Sequence, residues 1–189
     1  PQLDDVPFTF ASFEIDSDAE QGAVLVQRAI ASVSAFDLND LDAARNAARE
    51  RRCLAEAIYY EARSETLAGQ MAVAEVVINR SRHRAYPNSI CGVVYQGSER
   101  RTGCQFTFTC DGSMISAPYG RGWDRAQNVA DHALMGFARP VTNRATHYHT
   151  TAVDPHWNDS LVRTRRIGSH IFYRFPNRSE RRLLAEREA

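Results

Sequence analysis

Residues 56–65 read Glu-Ala-Ile-Tyr-Tyr-Glu-Ala-Arg-Ser-Glu, setting carboxylates, an arginine and two tyrosines into an otherwise apolar helical pattern. Cys53, Leu54, Ala57 and Ile58 form the apolar stripe at helical spacing, so this helix packs one face against a core. Glu61 falls three residues after Ile58, close to that stripe, beside Tyr60 and two residues before Arg63. A carboxyl held against apolar or aromatic surface loses hydration, which raises its pKa and keeps it protonated near neutral pH. That is what a general acid requires. The same pattern also fits ordinary solvated helix glutamates.

Glu61 and Glu65 are four residues apart, hence on one face if the helix continues that far. Two carboxylates one turn apart cannot flank a sugar ring from opposite sides, the geometry that two-carboxylate glycosidases use. Either a second acid comes from elsewhere, with Asp111, Asp131 and Asp154 as candidates, or one carboxyl works alone. A lone acid can protonate the leaving oxygen and then take a proton from the sugar's own hydroxyl, which becomes the nucleophile.

His147-Tyr148-His149 supports a rival chemistry. On a strand His147 and His149 share a face, as metal-binding HxH pairs do, and His156 or His170 could complete a zinc site. No HExxH helix accompanies them, and a Tyr- and Trp-rich strand region equally suits a wall on which sugars stack. Tyr59, Tyr60, Phe106, Phe108, Trp123, Tyr148 and Trp157 are the candidate groove aromatics, against the plain alternative that many are core. Asn79, Gln105, Thr107 and Thr109 add uncharged hydrogen-bonding groups.

These residues need elements to hold them. Ala19 to Phe36 has one amphipathic helical pattern, and Leu41 to Arg63 reads as a long helix with a start signal at Asn39-Asp40. Leu67 to Arg82 is a strongly apolar helix that ends before the Tyr86-Pro87-Asn88 turn. Ser89 to Gln96 is a short helix with Ser89 as its cap. Cys104 to Thr109 alternates as a strand would, and Asp111-Gly112 turns the chain. Trp123 to Phe137 is helical, with Ala126, Val129, Ala130, Ala133, Leu134 and Phe137 on one face. Ala145 to Thr150 and Ile167 to Arg174 are the expected strands. The expected organisation is an N-terminal tail and helical extension over 1–38, one catalytic domain over 39–175 and a charged tail over 176–189.

The 189 residues suit one domain with a sizeable core, and 43% hydrophobic content argues against general disorder. Formal charge balances at +0, so no nucleic-acid partner is implied. All 23 basic residues are arginine, which suits bidentate recognition of carboxylates and phosphates and leaves an anionic polymer open as substrate. Four cysteines allow three pairings, and no CxxC spacing suggests a zinc ribbon or a redox pair. Cys104–Cys110 with Cys53–Cys91 is the preferred pairing, placing the chain in an oxidising compartment; the alternative is four reduced, buried thiols. No apolar run is long enough to span a membrane. The chain opens on Pro1, which fits an export segment removed or left out upstream.

Several segments together resemble the SleB/CwlJ-type cell wall hydrolases. They are residues 54–65 (Leu-Ala-Glu-Ala-Ile-Tyr-Tyr-Glu-Ala-Arg-Ser-Glu), 68–80 (Ala-Gly-Gln-Met-Ala-Val-Ala-Glu-Val-Val-Ile-Asn-Arg), 86–96, 104–108 and 167–173. The Thr-His-Tyr-His stretch and the cysteines look like a proteobacterial branch. The resemblance implies an α+β, mainly helical, lysozyme-like domain with a small β region. It implies cleavage of peptidoglycan glycan strands as a lytic transglycosylase or N-acetylmuramidase, in the periplasm or cell envelope, without a cofactor. Glu61 takes the place of the family's acid/base, and Glu65, Gln70, Gln105, Phe106, Tyr148 and His149 are the expected substrate-binding residues. Two other readings stand beside it: a zinc-dependent peptidoglycan amidase or peptidase using His147 and His149, and a non-catalytic glycan-binding module.

Overall fold

A computed structural model of the chain describes residues 26–27, 38–100, 103–136 and 139–187. The expected helix over Ala19 to Phe36 and the side chain of Phe137 lie outside the described residues, apart from the helical pair Val26 and Gln27. Backbone contacts divide the chain into two units, residues 1–44 and residues 45–189. The second unit holds every element named below except the first turns of its first helix.

After the helical pair at 26–27, the described residues form the α-helices α1 (Leu38–Ala62), α2 (Leu67–Ser81), α3 (Ile90–Val94), α4 (Gly120–Leu134) and α5 (Arg178–Arg187). Between α4 and α5 lie strands β1 (His147–Thr150), β2 (Val162–Ile167) and β3 (His170–Arg174). This is a mainly helical α+β fold. The sheet is antiparallel in the order β1-β3-β2, with Tyr148 opposite Phe172.

The core forms where the apolar stripes meet. Leu54, Ala57 and Ile58 of α1 pack with Ala74 and Val77 of α2, Val93 and Val94 of α3, and Ala126, Val129 and Ala130 of α4. Each fully buried Val, Leu or Ile contributes roughly 1.5–3 kcal/mol. α2 buries Ala72, Val73, Ala74, Val76 and Val77, so it runs through the interior rather than over the surface. The Cys53–Cys91 disulfide joins α1 to α3, and Cys104–Cys110 closes a loop, in the expected pairing.

Polar side chains pin the joints. Thr66 caps α2 by accepting from the Gly69 amide, and Ser89 caps α3 from Gly92. Glu50 of α1 accepts from the amides of Ile90 and Cys91, placing a carboxylate at the start of α3. Three residues of α2 grip the segment that feeds β1. Glu75 accepts from the Val141 and Thr142 amides at 2.6 and 3.1 Å. The Asn79 amide donates to the Ala145 carbonyl at 2.9 Å, and Arg80 Nε donates to the Thr146 carbonyl at 2.7 Å.

Two expected strands are corrected. Residues 104–109 form no strand; a 3-10 turn spans Thr107–Thr109, with the Thr109 hydroxyl donating to the Phe106 carbonyl. The Cys104–Cys110 Cα atoms are 6.4 Å apart, whereas six extended steps would cover about 20 Å, so the bridged loop has to fold back. The expected strand Ile167 to Arg174 is interrupted: Ile167 ends β2 and β3 begins at His170, because Gly168-Ser169 makes a two-residue hairpin turn with Gly168 at φ 58°. A Cβ at Gly168 would run into the Glu65 carboxylate, so a larger residue here would displace the Glu65 side chain as well as strain the left-handed turn.

Candidate functional site

Glu61 sits in the last turn of α1, half-buried, on the wall of a groove of about 740 Å³. Tyr59, Tyr60, Phe108, Asp111, Arg63 and Arg121 line the same groove. The helix ends at Ala62, which releases Arg63 from the helical 100° step. The Arg63 guanidinium then lies over the Tyr59 ring, 5.1 Å from its centre. Tyr60 stacks on Phe108 at 4.6 Å and donates its hydroxyl to the Ser116 carbonyl at 2.9 Å. The disulfide loop and the turn after it therefore form the wall facing α1.

The Tyr148 hydroxyl donates to Glu61 Oε2 at 3.1 Å. Burial pushes the Glu61 carboxyl above the ordinary carboxylate range; the Tyr148 bond and the Arg80 charge oppose that, and Asp111 adds to it. The outcome is a carboxyl that holds its proton longer than a solvated glutamate yet has two groups ready to stabilise its anion. Burial raises the Tyr148 phenol well above its usual value, so it stays a donor.

The other expected site residues take varied places. Glu65 accepts from the Ser169 hydroxyl and lies 3.7 Å from His170 Nδ1, tying the α1–α2 turn to the β2–β3 hairpin. Gln70 is buried and donates to the carbonyls of Arg63 and Glu65 at 3.5 and 3.3 Å, bracing the turn that follows Glu61. Phe106 is buried in the core beneath the Arg80 guanidinium. Gln105 is half-buried, with its backbone N–H donating to the Gln96 carbonyl at 3.0 Å. β1 turns His149 to the face opposite Tyr148, where Nε2 meets the Tyr173 hydroxyl at 3.0 Å and Nδ1 the Thr150 carbonyl at 2.8 Å.

His147 shares that face, with its ring nitrogens bonded to the Tyr86 and Thr146 hydroxyls. Trp157 packs against both histidines. Among the described residues, no three His, Cys, Asp or Glu side chains gather as a metal site would need. Of the three candidate second acids, Asp111 lines the groove with Glu61. Asp131 is paired with Arg51, and Asp154 accepts from Asn158.

Arg80 is the residue the sequence reading passed over. It is buried, its guanidinium lying 5.4 Å from the centres of both the Tyr86 and Phe106 rings, with Nη1 lacking a hydrogen-bond partner among the described residues. The available signal was a cation closing an otherwise apolar helix.

The fold and groove define a mainly helical α+β domain with a half-buried carboxyl, Glu61, on the wall of an aromatic-lined groove. The sequence profile of the family described as Cell Wall Hydrolase matches residues 64–173, more than half of the sequence, and the chain belongs to that family. Glu65 lies inside the matched stretch and Glu61 three residues ahead of it. The spore cortex-lytic enzyme of Bacillus subtilis (strain 168) is 33% identical over 123 residues, covering 64% of this chain and 36% of that protein. The spore cortex-lytic enzyme of Halalkalibacterium halodurans is 28% identical over 156 residues, covering 82% of this chain and 41% of that protein. The chain thus spans about two-fifths of the length of these curated relatives.

Two solved structures share the fold. The catalytic domain of the Bacillus cereus SleB protein superposes with a TM-score of 0.55 at 28% identity, covering 66% of this chain and 89% of that one. The catalytic domain of the germination-specific lytic transglycosylase SleB from Bacillus anthracis gives a TM-score of 0.55 at 26% identity, covering 74% and 98%.

Proposed function

We propose that the chain cleaves peptidoglycan glycan strands, as a lytic transglycosylase or N-acetylmuramidase, with Glu61 as the general acid/base. The observation that carries this reading is the Glu61 carboxyl, pushed up by burial and bonded to the Tyr148 hydroxyl, on the wall of an aromatic-lined groove. The protonated carboxyl gives its proton to the glycosidic oxygen as the C1–O bond breaks. The positive charge left on the sugar ring sits beside the new carboxylate, whose anion Tyr148 and Arg80 stabilise. That carboxylate then takes the proton of the muramoyl 6-hydroxyl while O6 bonds to C1, closing a 1,6-anhydro ring and restoring the acid. No positioned water is required.

Asp111 supports a second outcome. It lines the same groove, and bonds from Ser113 hold its carboxyl below the ordinary range, so it is ionised and able to activate water. Water attack would leave a reducing end. The catalytic domain corresponds to residues 39–175, and the two disulfides favour export to the periplasm or envelope. Digestion of purified sacculi followed by mass spectrometry of the muropeptides tests the reading. Anhydro ends favour the single-carboxyl route, reducing ends favour Asp111 and water, and full activity in Glu61→Gln refutes the assignment.

A further inference from the structure

We infer that Arg63 and Arg121 make the groove a reader of carboxylates, so that its substrate is a glycan whose muramoyl units bear acidic side groups. This rests on the proposed cleavage of peptidoglycan. Both arginines are exposed and line the groove that holds Glu61, yet they come from different elements. Arg63 lies in the turn after α1, and Arg121 in the first turn of α4. Neither forms an ion pair with a carboxylate among the described residues, whereas Arg51 and Arg174 are paired, with Asp131 and Glu180. The Arg63 guanidinium rests over the Tyr59 ring, a contact with the ring face that uses none of its N–H donors.

The balance of charge points the same way. The acids lining the groove are Glu61, which burial holds toward its neutral form, and Asp111, so the two arginines leave a positive excess. A neutral polymer of N-acetylated sugars offers guanidinium groups hydrogen-bond acceptors but no opposite charge. Muramoyl residues supply that charge, because each carries a lactyl carboxyl, either free or extended into a stem peptide that ends in carboxylates. Arginine matches such groups with two parallel N–H donors.

The test compares native sacculi with sacculi whose carboxyls have been converted to neutral amides. Binding is read by co-sedimentation of the full chain carrying Glu61→Gln, with and without Arg63→Gln and Arg121→Gln, so the readout does not depend on catalysis. The expected result is about a tenfold loss of binding for each arginine removed on native sacculi. On amidated sacculi the chain with both arginines should bind as weakly as the double variant, and Arg63→Lys with Arg121→Lys should recover part of the native preference. Equal binding to native and amidated sacculi, or an unchanged preference in the double variant, would overturn the inference. Inactivity of the unsubstituted chain on sacculi it binds selectively would refute the cleavage reading and leave this one standing.

Discussion

The hydroxyl of Tyr148, on β1, donates to Oε2 of Glu61, on α1, at 3.1 Å across 87 residues of sequence. This bond favours the ionised carboxyl and so pulls against the burial that raises its pKa. Removing the donor leaves burial less opposed. In Tyr148→Phe the Glu61 pKa therefore rises further, and the alkaline limb of the pH–activity curve moves to higher pH. The proton also becomes harder to give up and the carboxyl less firmly aimed, so kcat falls by about tenfold or more. A pH series of kcat/KM on sacculi reads both effects; an unmoved alkaline limb would count against the role assigned to this pair.

Much of this arrangement was legible in the chain, because helical periodicity reports burial directly. The spacing of Leu54, Ala57 and Ile58 located the inward face of α1, and Ser89 marked the start of α3. Apart from the Cys53–Cys91 bridge, contacts between distant segments were not legible. β2 reads Val-Arg-Thr-Arg-Arg-Ile, a poor strand by hydropathy, yet as the edge of the sheet it can leave its arginines in solvent. Tyr148 and His149 are neighbours on one strand, and strand geometry sends neighbours to opposite faces, so a single groove could take only one of them. Arg80 escaped notice because its partner is a carbonyl 66 residues away.

Arg80 has a double part that one variant can expose. Burial lowers its pKa from the ordinary arginine value, but arginine keeps its proton in proteins. Its charge thus lowers the Glu61 pKa, and its Nε satisfies the Thr146 carbonyl just before β1. In Arg80→Met the carbonyl loses its donor, costing about 1–3 kcal/mol of folding stability. The surviving folded protein should show its alkaline activity limb shifted upward, in the same direction as Tyr148→Phe. Urea unfolding and a pH–rate series measure the two parts separately; a stability loss with no shift would make Arg80 structural alone.

The two disulfides should separate in what they protect. Cys53–Cys91 spans 38 residues, so constraint of the unfolded chain makes it worth about 4 kcal/mol. Cys104–Cys110 spans 6, worth about 2 kcal/mol. The shorter loop nevertheless carries Thr107 and Phe108 and leads directly into Asp111, all lining the groove. Replacing Cys53 and Cys91 by alanine should lower the urea midpoint more. Replacing Cys104 and Cys110 should cost more activity per unit of stability lost. Equal activity losses in the two double variants at matched stability would contradict this division.

On the far side of the sheet, His147 makes stability depend on pH. Burial, then the charges of Arg80 and His83, bring its pKa from 6.5 down to about 4. Its ring is held between the Tyr86 and Thr146 hydroxyls and packed against Trp157 and Phe175. Below pH 6.5 the unfolded chain binds a proton at this ring that the folded chain refuses, so folding stability falls as pH drops toward 4. Across that window the loss amounts to about 3 kcal/mol, since each pKa unit corresponds to about 1.4 kcal/mol. His170, lowered by burial against the opposing charge of Glu65, adds a loss of the same sign. Urea unfolding of His147→Gln and of the unsubstituted chain between pH 4 and 7 tests this. The variant should be less stable at pH 7, having lost packing, and its stability should fall less steeply on acidification. Parallel stability curves for the two proteins would mean that the acid sensitivity arises elsewhere.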